Sequence, residues 1–518
     1  MAFHNQHTPA LLWCCAVAVV LTGSHALATT NAYCHADLIV TAPALPHRHL
    51  GATSTQDRTL TALTSADHAG DTLALLSGTT VTEGDKGESR VRLRGFNAGQ
   101  ITLLVDGIPL YEPFFHTIDL RHLPAYWIES ITVVKGAGSV LYGPNTMGGT
   151  LRVTTRRPDE GATTIHARAG ENGALRMQAA TVARTTNTAI VAGLTRNQSD
   201  GFDWNSSSGR QLRTNSDYDD ISLMVKAYVW PRENVEITGG FSYIDSEYGI
   251  PTATEVYRPR YWRFSSWKRL VSSIGATWLS QSGASLDAKA YVVQHENVLD
   301  AFSSSLFDER QWVSTYENET TGLLLLYALP STQRHSIQGS LSVHHDDVCQ
   351  QSNSGNAWDI SAQETYSLGL EDVYTLGSVW KATAAIGIDR TEQRLSDDDE
   401  LFNPVVGVTY EPRDSVDIYL SALHKSRFPS MREQYGVGGN PDLASETAES
   451  VEAGFHYKGT PRISGALFHT KVSDLITSTR DASGTATFAN IGEARITGGE
   501  LEAEVHLGPL TLGAGATL

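Results

Sequence analysis

The chain has 518 residues, a formal net charge of −18 at neutral pH and 41% hydrophobic residues. That excess of acid argues against a nucleic-acid binder, and four cysteines over this length do not describe a disulfide scaffold. Past the leader no apolar run approaches helix-spanning length, so a membrane protein with this sequence has to cross the bilayer with strands.

Ala10 to Gly23 form an apolar run too short to span a bilayer, followed by Ser24-His25-Ala26-Leu27-Ala28, where small residues sit at signal-peptidase spacing. This predicts a secretory signal over residues 1–28, although no Lys or Arg precedes the run. Removal takes away Cys14 and Cys15 and leaves Cys34 and Cys349, two thiols far apart in sequence. In the segment 29–46, Asp37, Leu38, Ile39, Val40, Thr41 and Ala42 alternate β-branched and apolar character ahead of Pro43 and Pro46. Such a strand suits edge donation better than a core. Residues 47–89 are polar, with one helix-like piece around Thr72 to Leu76.

From Arg90 to Pro158 the chain is punctuated by glycine. Four β-type runs, Val91 to Leu93, Ile101 to Val105, Ile131 to Val134 and Leu151 to Thr154, are separated by Arg94-Gly95, Asp106-Gly107, Gly136 and the stretch Tyr142-Gly143 to Gly148-Gly149. This is the pattern of a small mixed sheet. Gly138 and Gly143 have phosphate-loop spacing, but Pro144 and Asn145 follow where Lys and Ser/Thr are needed. A dinucleotide fingerprint starting at Gly136 and Gly138 fails at Leu141.

The segment, with Glu129 just ahead of its third run, resembles the plug domain of TonB-dependent outer-membrane receptors. The resemblance implies an α/β plug over 47–158 inside a transmembrane barrel over 159–518. Asp37 to Ala42 would then be the TonB box, a strand added to a sheet edge of TonB and pulled by its inner-membrane motor complex. The plug motif would comprise Arg94, Gly95, Asp106, Gly107, Glu129, Gly136, Tyr142, Gly143, Gly148 and Gly149, with Arg94 a candidate to pair with a lumenal carboxylate such as Glu502 or Glu504. Such receptors are not enzymes and hold no cofactor; they take up iron–siderophore chelates, haem or cobalamin, in that order of expectation here. They reside as monomers in the lipid of the Gram-negative outer membrane. The rival from another class is an adhesin or surface receptor on a similar barrel, without energised transport.

After residue 160 the period is two. Ile221 to Val229, Val416 to Ala422 and Leu501 to Leu507 alternate apolar with polar side chains, which predicts antiparallel strands with a lipid face and a wet face. Short turns are expected at Thr185–Thr188, Pro231–Asn234, Gln281–Ala284, Pro330–Gln333, Glu371–Thr375, Glu411–Ser415, Lys458–Pro461 and Leu507–Pro509. Outer loops are expected at Gln198–Asp219, Ser246–Ser266, Val298–Gln311, Asp346–Ala357, Thr391–Leu401, Ser426–Thr447 and Ser478–Glu493. The count comes to about 16–17 strands against the 22 of plugged transporters, so the chain reads as truncated, forming either an open barrel or a smaller closed one.

Tyr257 to Trp267 are dense in aromatic and basic residues. An interfacial girdle is one reading; a ligand-facing patch of Arg258, Arg260, Tyr261, Trp262 and Arg263 for an anionic chelate is the other. His344-His345-Asp346-Asp347 reads as a solvated loop base and not a metal site, because neighbouring strand residues face opposite ways. No catalytic constellation attaches to any motif.

Overall fold

The computed structural model describes residues 50–58, 66–136, 139–158, 163–206, 209–253, 256–393, 398–480, 484–507 and 510–518. The signal, Cys34 and the Asp37–Ala42 strand lie outside the described residues.

The plug contains β1 (Thr53–Asp57), α1 (Ala69–Leu73), β2 (Thr79–Glu83), β3 (Ser89–Leu93), β4 (Ile101–Val105), β5 (Ile108–Pro109), β6 (Ile128–Lys135) and β7 (Gly149–Thr155). Five of these strands form a sheet in the order β1-β6-β7-β4-β5. It is mixed, because β4 pairs β7 in parallel while β6 pairs β7 antiparallel. The run at Val91 to Leu93 does not join that sheet; it pairs with β2 in a separate hairpin. Ile101, Leu103, Ile131, Val133, Leu151 and Val153 close the plug core, with α1 contributing Ala69 and Leu73.

The remaining strands are β8 (Thr163–Ala169), β9 (Leu175–Arg184), β10 (Thr188–Ser199), β11 (Asp203–Ser206), β12 (Gly209–Leu212), β13 (Tyr218–Arg232), β14 (Val235–Ile250), β15 (Trp262–Leu279), β16 (Ser285–Phe302), β17 (Arg310–Ala328) and β18 (His335–Ser352). They continue as β19 (Asp359–Leu376), β20 (Trp380–Gln393), β21 (Asp399–Arg413), β22 (Val416–Arg427), β23 (Glu446–Tyr457), β24 (Arg462–Ser473), β25 (Ile476–Arg480), β26 (Ala486–Asn490), β27 (Glu493–Leu507) and β28 (Leu510–Thr517). Between β22 and β23 lies α2 (Met431–Tyr435). The hairpins β11–β12 and β25–β26 stand apart in outer loops; the other seventeen strands form one closed barrel. Because consecutive neighbours run antiparallel and the number is odd, β28 meets β8 with both pointing the same way. Both strands at that seam are exposed along nearly their whole length.

Side chains alternate as period two requires. Leu323 and Leu325 are exposed on the outside of the barrel while Leu324 and Leu326 are buried inward; Ile418 and Leu420 face out while Asp417, Tyr419 and Ser421 face in. The plug fills the lumen, since its groups bond to the wall around the ring: Tyr126 to Thr164 of β8, Tyr111 to Asp346 of β18, Gln100 to Glu446 of β23 and the Gly78 amide to Thr517 of β28.

Strands run further out than expected. β18 continues through His344, His345, Asp346 and Asp347 to Ser352, so those residues are not a loop base. Asp346 is 4% exposed and accepts from plug Tyr111 at 2.8 Å, which satisfies its charge in the lumen. Likewise Glu371–Thr375 is no turn, because β19 runs on to Leu376 and Glu371 is wholly buried against the plug. Both were misread because a charged pair in a plugged lumen looks, in sequence, like a charged pair in water.

Candidate functional site: the plug–wall contact

Arg94 follows the last residue of β3 with φ 49°, and Gly95 comes next at φ 89°, a left-handed turn that aims the guanidinium at the wall. There its Nε and Nη2 donate to the two oxygens of Glu500 at 2.9 and 3.1 Å, and Nη1 donates to Glu452 at 2.5 Å. The planar fork suits this bidentate geometry, and Phe468 lies under it at 4.0 Å. Lys135 at the end of β6 donates to Glu500 at 3.2 Å and to Glu502 at 3.1 Å. Every member but Glu502 is almost fully buried. Burial works to lower the Arg94 pKa, but Glu452 and Glu500 outweigh it and hold the group above its ordinary value. Two glycines make the approach possible: a Cβ at Gly136 would come 2.7 Å from Glu452, and one at Gly78 would come 2.1 Å from Glu500. Sequence reasoning missed both wall partners of Arg94: Glu452 on β23 and Glu500, one pleat above the expected Glu502 on β27; Glu504 is half-exposed beside His506 and Arg462.

A second tie holds the β4–β5 turn. Asp106 and Gly107 adopt φ 50° and 84°, the two positive values a tight hairpin turn requires. Asp106 accepts from the Thr155 amide at 2.9 Å, from its hydroxyl at 2.6 Å and from Lys226 of β13 at 3.0 Å, while Lys289 of β16 donates to the Asp106 carbonyl at 2.5 Å. Burial raises the Asp106 pKa, and Lys226 with Thr155 overcomes it, leaving the carboxyl below its ordinary range.

The plug apex is roofed by α2. Its N-cap Ser430 accepts from the Glu433 amide at 3.3 Å, and the Arg432 amide donates to the Phe114 carbonyl at 2.8 Å. Met431 joins Phe114, Tyr316 and Val348 in a buried cluster. Beside it Glu112 accepts from the Phe114 and Phe115 amides at 3.1 and 2.7 Å and from Asn318 at 2.5 Å. Desolvation in this aromatic corner pushes the Glu112 carboxyl up to about 7. Burial likewise takes His116 down to about 3, leaving a neutral ring stacked on Tyr111 at 4.4 Å.

Among the other plug-motif residues, Glu129 is half-buried on β6, Gly143 has φ 78° and Gly149 φ 132°, and Gly148 leaves room for Phe96, which a Cβ would meet at 2.6 Å. Tyr142 lies beneath Arg152 at 5.7 Å. In the aromatic-basic segment Arg263 is committed to Asp217 at 2.8 Å and Glu247 at 3.0 Å, and Arg260 reaches Asp85 of the plug hairpin at 3.1 Å. Arg258 lies over Tyr257, Tyr261 meets Phe307, and Trp262 meets Trp312. Phe264 and Trp267 turn inward against the plug side, away from headgroups. Among the described residues no group of three or more His, Cys, Asp or Glu side chains is placed to hold a metal ion.

Residues 136–518 match the family model described as TonB dependent receptor-like, beta-barrel, and residues 49–150 match the TonB-dependent Receptor Plug Domain. The chain is 23% identical to a vitamin B12 transporter, BtuB, of Photobacterium profundum, over 85% of this chain and 70% of that protein. Among solved structures it is similar to the FrpB iron transporter from Neisseria meningitidis, with a TM-score of 0.76, 16% identity and coverage of 90% of this chain and 79% of that one. The copper transporter OprC is similar at a TM-score of 0.75, again at 16% identity, over 90% and 81% of the two chains.

Proposed function

We propose, because this chain belongs to the TonB-dependent receptor family, that it is an outer-membrane receptor for energised uptake of a scarce chelated solute, an iron–siderophore complex first, then haem or cobalamin. Receptors of this family work with TonB and bind chelated ligands in barrels of the Gram-negative outer membrane; they are transporters and receptors, not enzymes. The observation that carries the reading is the polar plug–wall contact at Arg94, Lys135, Glu452 and Glu500. Such a contact fixes position, yet it can part and re-form against water without tearing open a hydrophobic core.

In this reading the solute meets the outer loops and the plug apex, with Arg258, Arg260, Tyr261, Trp262 and Arg263 as candidate contacts. Binding brings the Asp37–Ala42 strand within reach of TonB, which adds it to a sheet edge by backbone hydrogen bonds. Force on that strand draws part of the plug aside. The relatives' names include vitamin B12, iron and copper transporters, so one assay covers the candidates: growth and uptake with ferric siderophore, haem or cobalamin limiting, with and without TonB. TonB-dependent growth on one of them supports the proposal. Binding without energised uptake of any would favour a surface receptor instead.

A further inference from the structure

On the flank formed by β9, β10, β13 and β14 the plug stands off the wall. A cavity of about 370 Å³ lies there in the outer half of the barrel, lined by Asp67, Glu83, Arg121 and His122 of the plug and by Arg176 and Asp220 of the wall, Arg176 being paired with Asp67 across it. Its polar groups are incompletely satisfied: Thr195 Oγ1 and His122 Nε2 have no hydrogen-bond partner among the described residues, although they are only 6% and 3% exposed. His122 is held in place, its Nδ1 on Asp119 at 2.8 Å and its ring stacked on Trp267 at 3.5 Å. A polar cavity of this kind holds water or a polar solute. The Arg121 guanidinium lies over Tyr248 at 4.2 Å, with no carboxylate at ion-pair distance among the described residues.

One layer inward the character reverses. Trp127 of the plug, 3% exposed, packs with Val191 and Met224 of the wall, its indole nitrogen 3.4 Å from where a Cβ at Gly193 would stand. Beyond this apolar layer, toward the short turns, Arg156 stacks on Tyr126 at 4.0 Å and Arg184 donates to the Pro158 carbonyl at 2.9 Å. Neither has a carboxylate at ion-pair distance among the described residues, unlike Arg94, Arg157 and Arg427 elsewhere on the contact.

We infer that this flank is the route by which solute passes the plug: a polar vestibule of mixed charge and a basic exit separated by the Trp127 layer, the exit favouring solutes with a net negative charge on carboxylate or phosphate oxygens. The inference rests on the uptake reading and requires that the layer part, not that the plug leave the barrel. At the exit the guanidiniums of Arg156 and Arg184, without a carboxylate at ion-pair distance among the described residues, lower the cost of dehydrating an anion.

The test uses the full chain in cells that lack TonB and hold a periplasmic β-lactamase, with two probes: the anionic cephalosporin nitrocefin and the zwitterionic cephaloridine. Trp127→Ala should raise nitrocefin hydrolysis several-fold, Trp127→Phe should stay near the parent, and Val191→Ala repeats the leak from the wall side without touching the plug. Leu141→Ala, in the apolar contact with Leu324, Leu326 and Val405 across the lumen, should stay tight. Adding Arg156→Gln and Arg184→Gln to Trp127→Ala should slow nitrocefin and spare cephaloridine. Tight Trp127→Ala and Val191→Ala barrels, or an equal leak from Leu141→Ala, overturn the route; equal effects of the glutamines on both probes overturn the anion preference. The leak is read without TonB or nutrient, so its failure is separate from failure of the uptake proposal.

Discussion

Arg94 holds two buried carboxylates at once, and removing it strands both. Arg94→Ala should therefore loosen plug docking by about 3–5 kcal/mol, the usual consequence of leaving a buried ion unpaired, read as faster protease cleavage of the plug in the intact barrel; unchanged cleavage and uptake would retire its role as a tie. Glu112 makes a pH prediction. Its folded value of about 7 lies above its ordinary 4.5, so its contribution to apex stability is complete below about pH 4.5 and is lost as pH rises through 7. Amide exchange at Phe114 and Phe115 should show protection falling between pH 5 and 8 in the parent relative to Glu112→Gln at each pH. Of these residues Arg94 was legible, because it stands beside Gly95 in a recognisable motif. Glu500 was not: alternation says that 500, 502 and 504 share a face, but strand tilt decides which of them is level with the arginine. Glu112 carried no signal, since its burial arises from Tyr316 and Asn318 on a distant strand.

Alternation located most strands but set their outer ends too low. An outer-membrane strand needs about 9–11 residues to cross, whereas β16 to β19 have 18 or 19 each. The surplus rises past the lipid with polar residues on both faces, and there period two fades. Inside the lumen the plug supplies partners for Glu371 and Asp346, so charge is no sign of a turn. α2 is the other element the sequence did not announce, five residues long inside a loop. Ser430→Ala should cost that helix about 1 kcal/mol, seen as faster exchange at residues 431–435 with the barrel unchanged. The Asp37–Ala42 segment was read from its alternation, the prolines after it and its resemblance to a TonB box ahead of the plug; deleting it should abolish energised uptake while ligand binding to whole cells persists, and retained uptake would remove it as the TonB contact.

Over the whole molecule, the barrel followed from the lack of a helix-spanning apolar run and from alternation sustained from residue 160 onward, and the plug from the family resemblance of Arg90 to Pro158. The strand total was within reach of counting; that seventeen close into a ring was not, because closure depends on shear and the direction in which the last strand meets the first. The lipid face gives a global prediction. Leu368, 54% exposed on β19, should cost about 2–4 kcal/mol when changed to Arg if it lies at the bilayer midplane, measured by unfolding from vesicles, whereas Ser367→Ala on the inner face should change little. One carboxylate, finally, decides how the stopper yields. Glu500 answers to Arg94 and Lys135 together, and Glu452 answers to Arg94, Tyr419 and the Ala52 amide. Severing any single strand of this knot abandons a charge out of water, so half-released arrangements are steeper than either the seated or the freed one. Under load the plug should behave as a catch with a threshold, recoiling from weak fluctuations and giving way in one step when the force is sustained.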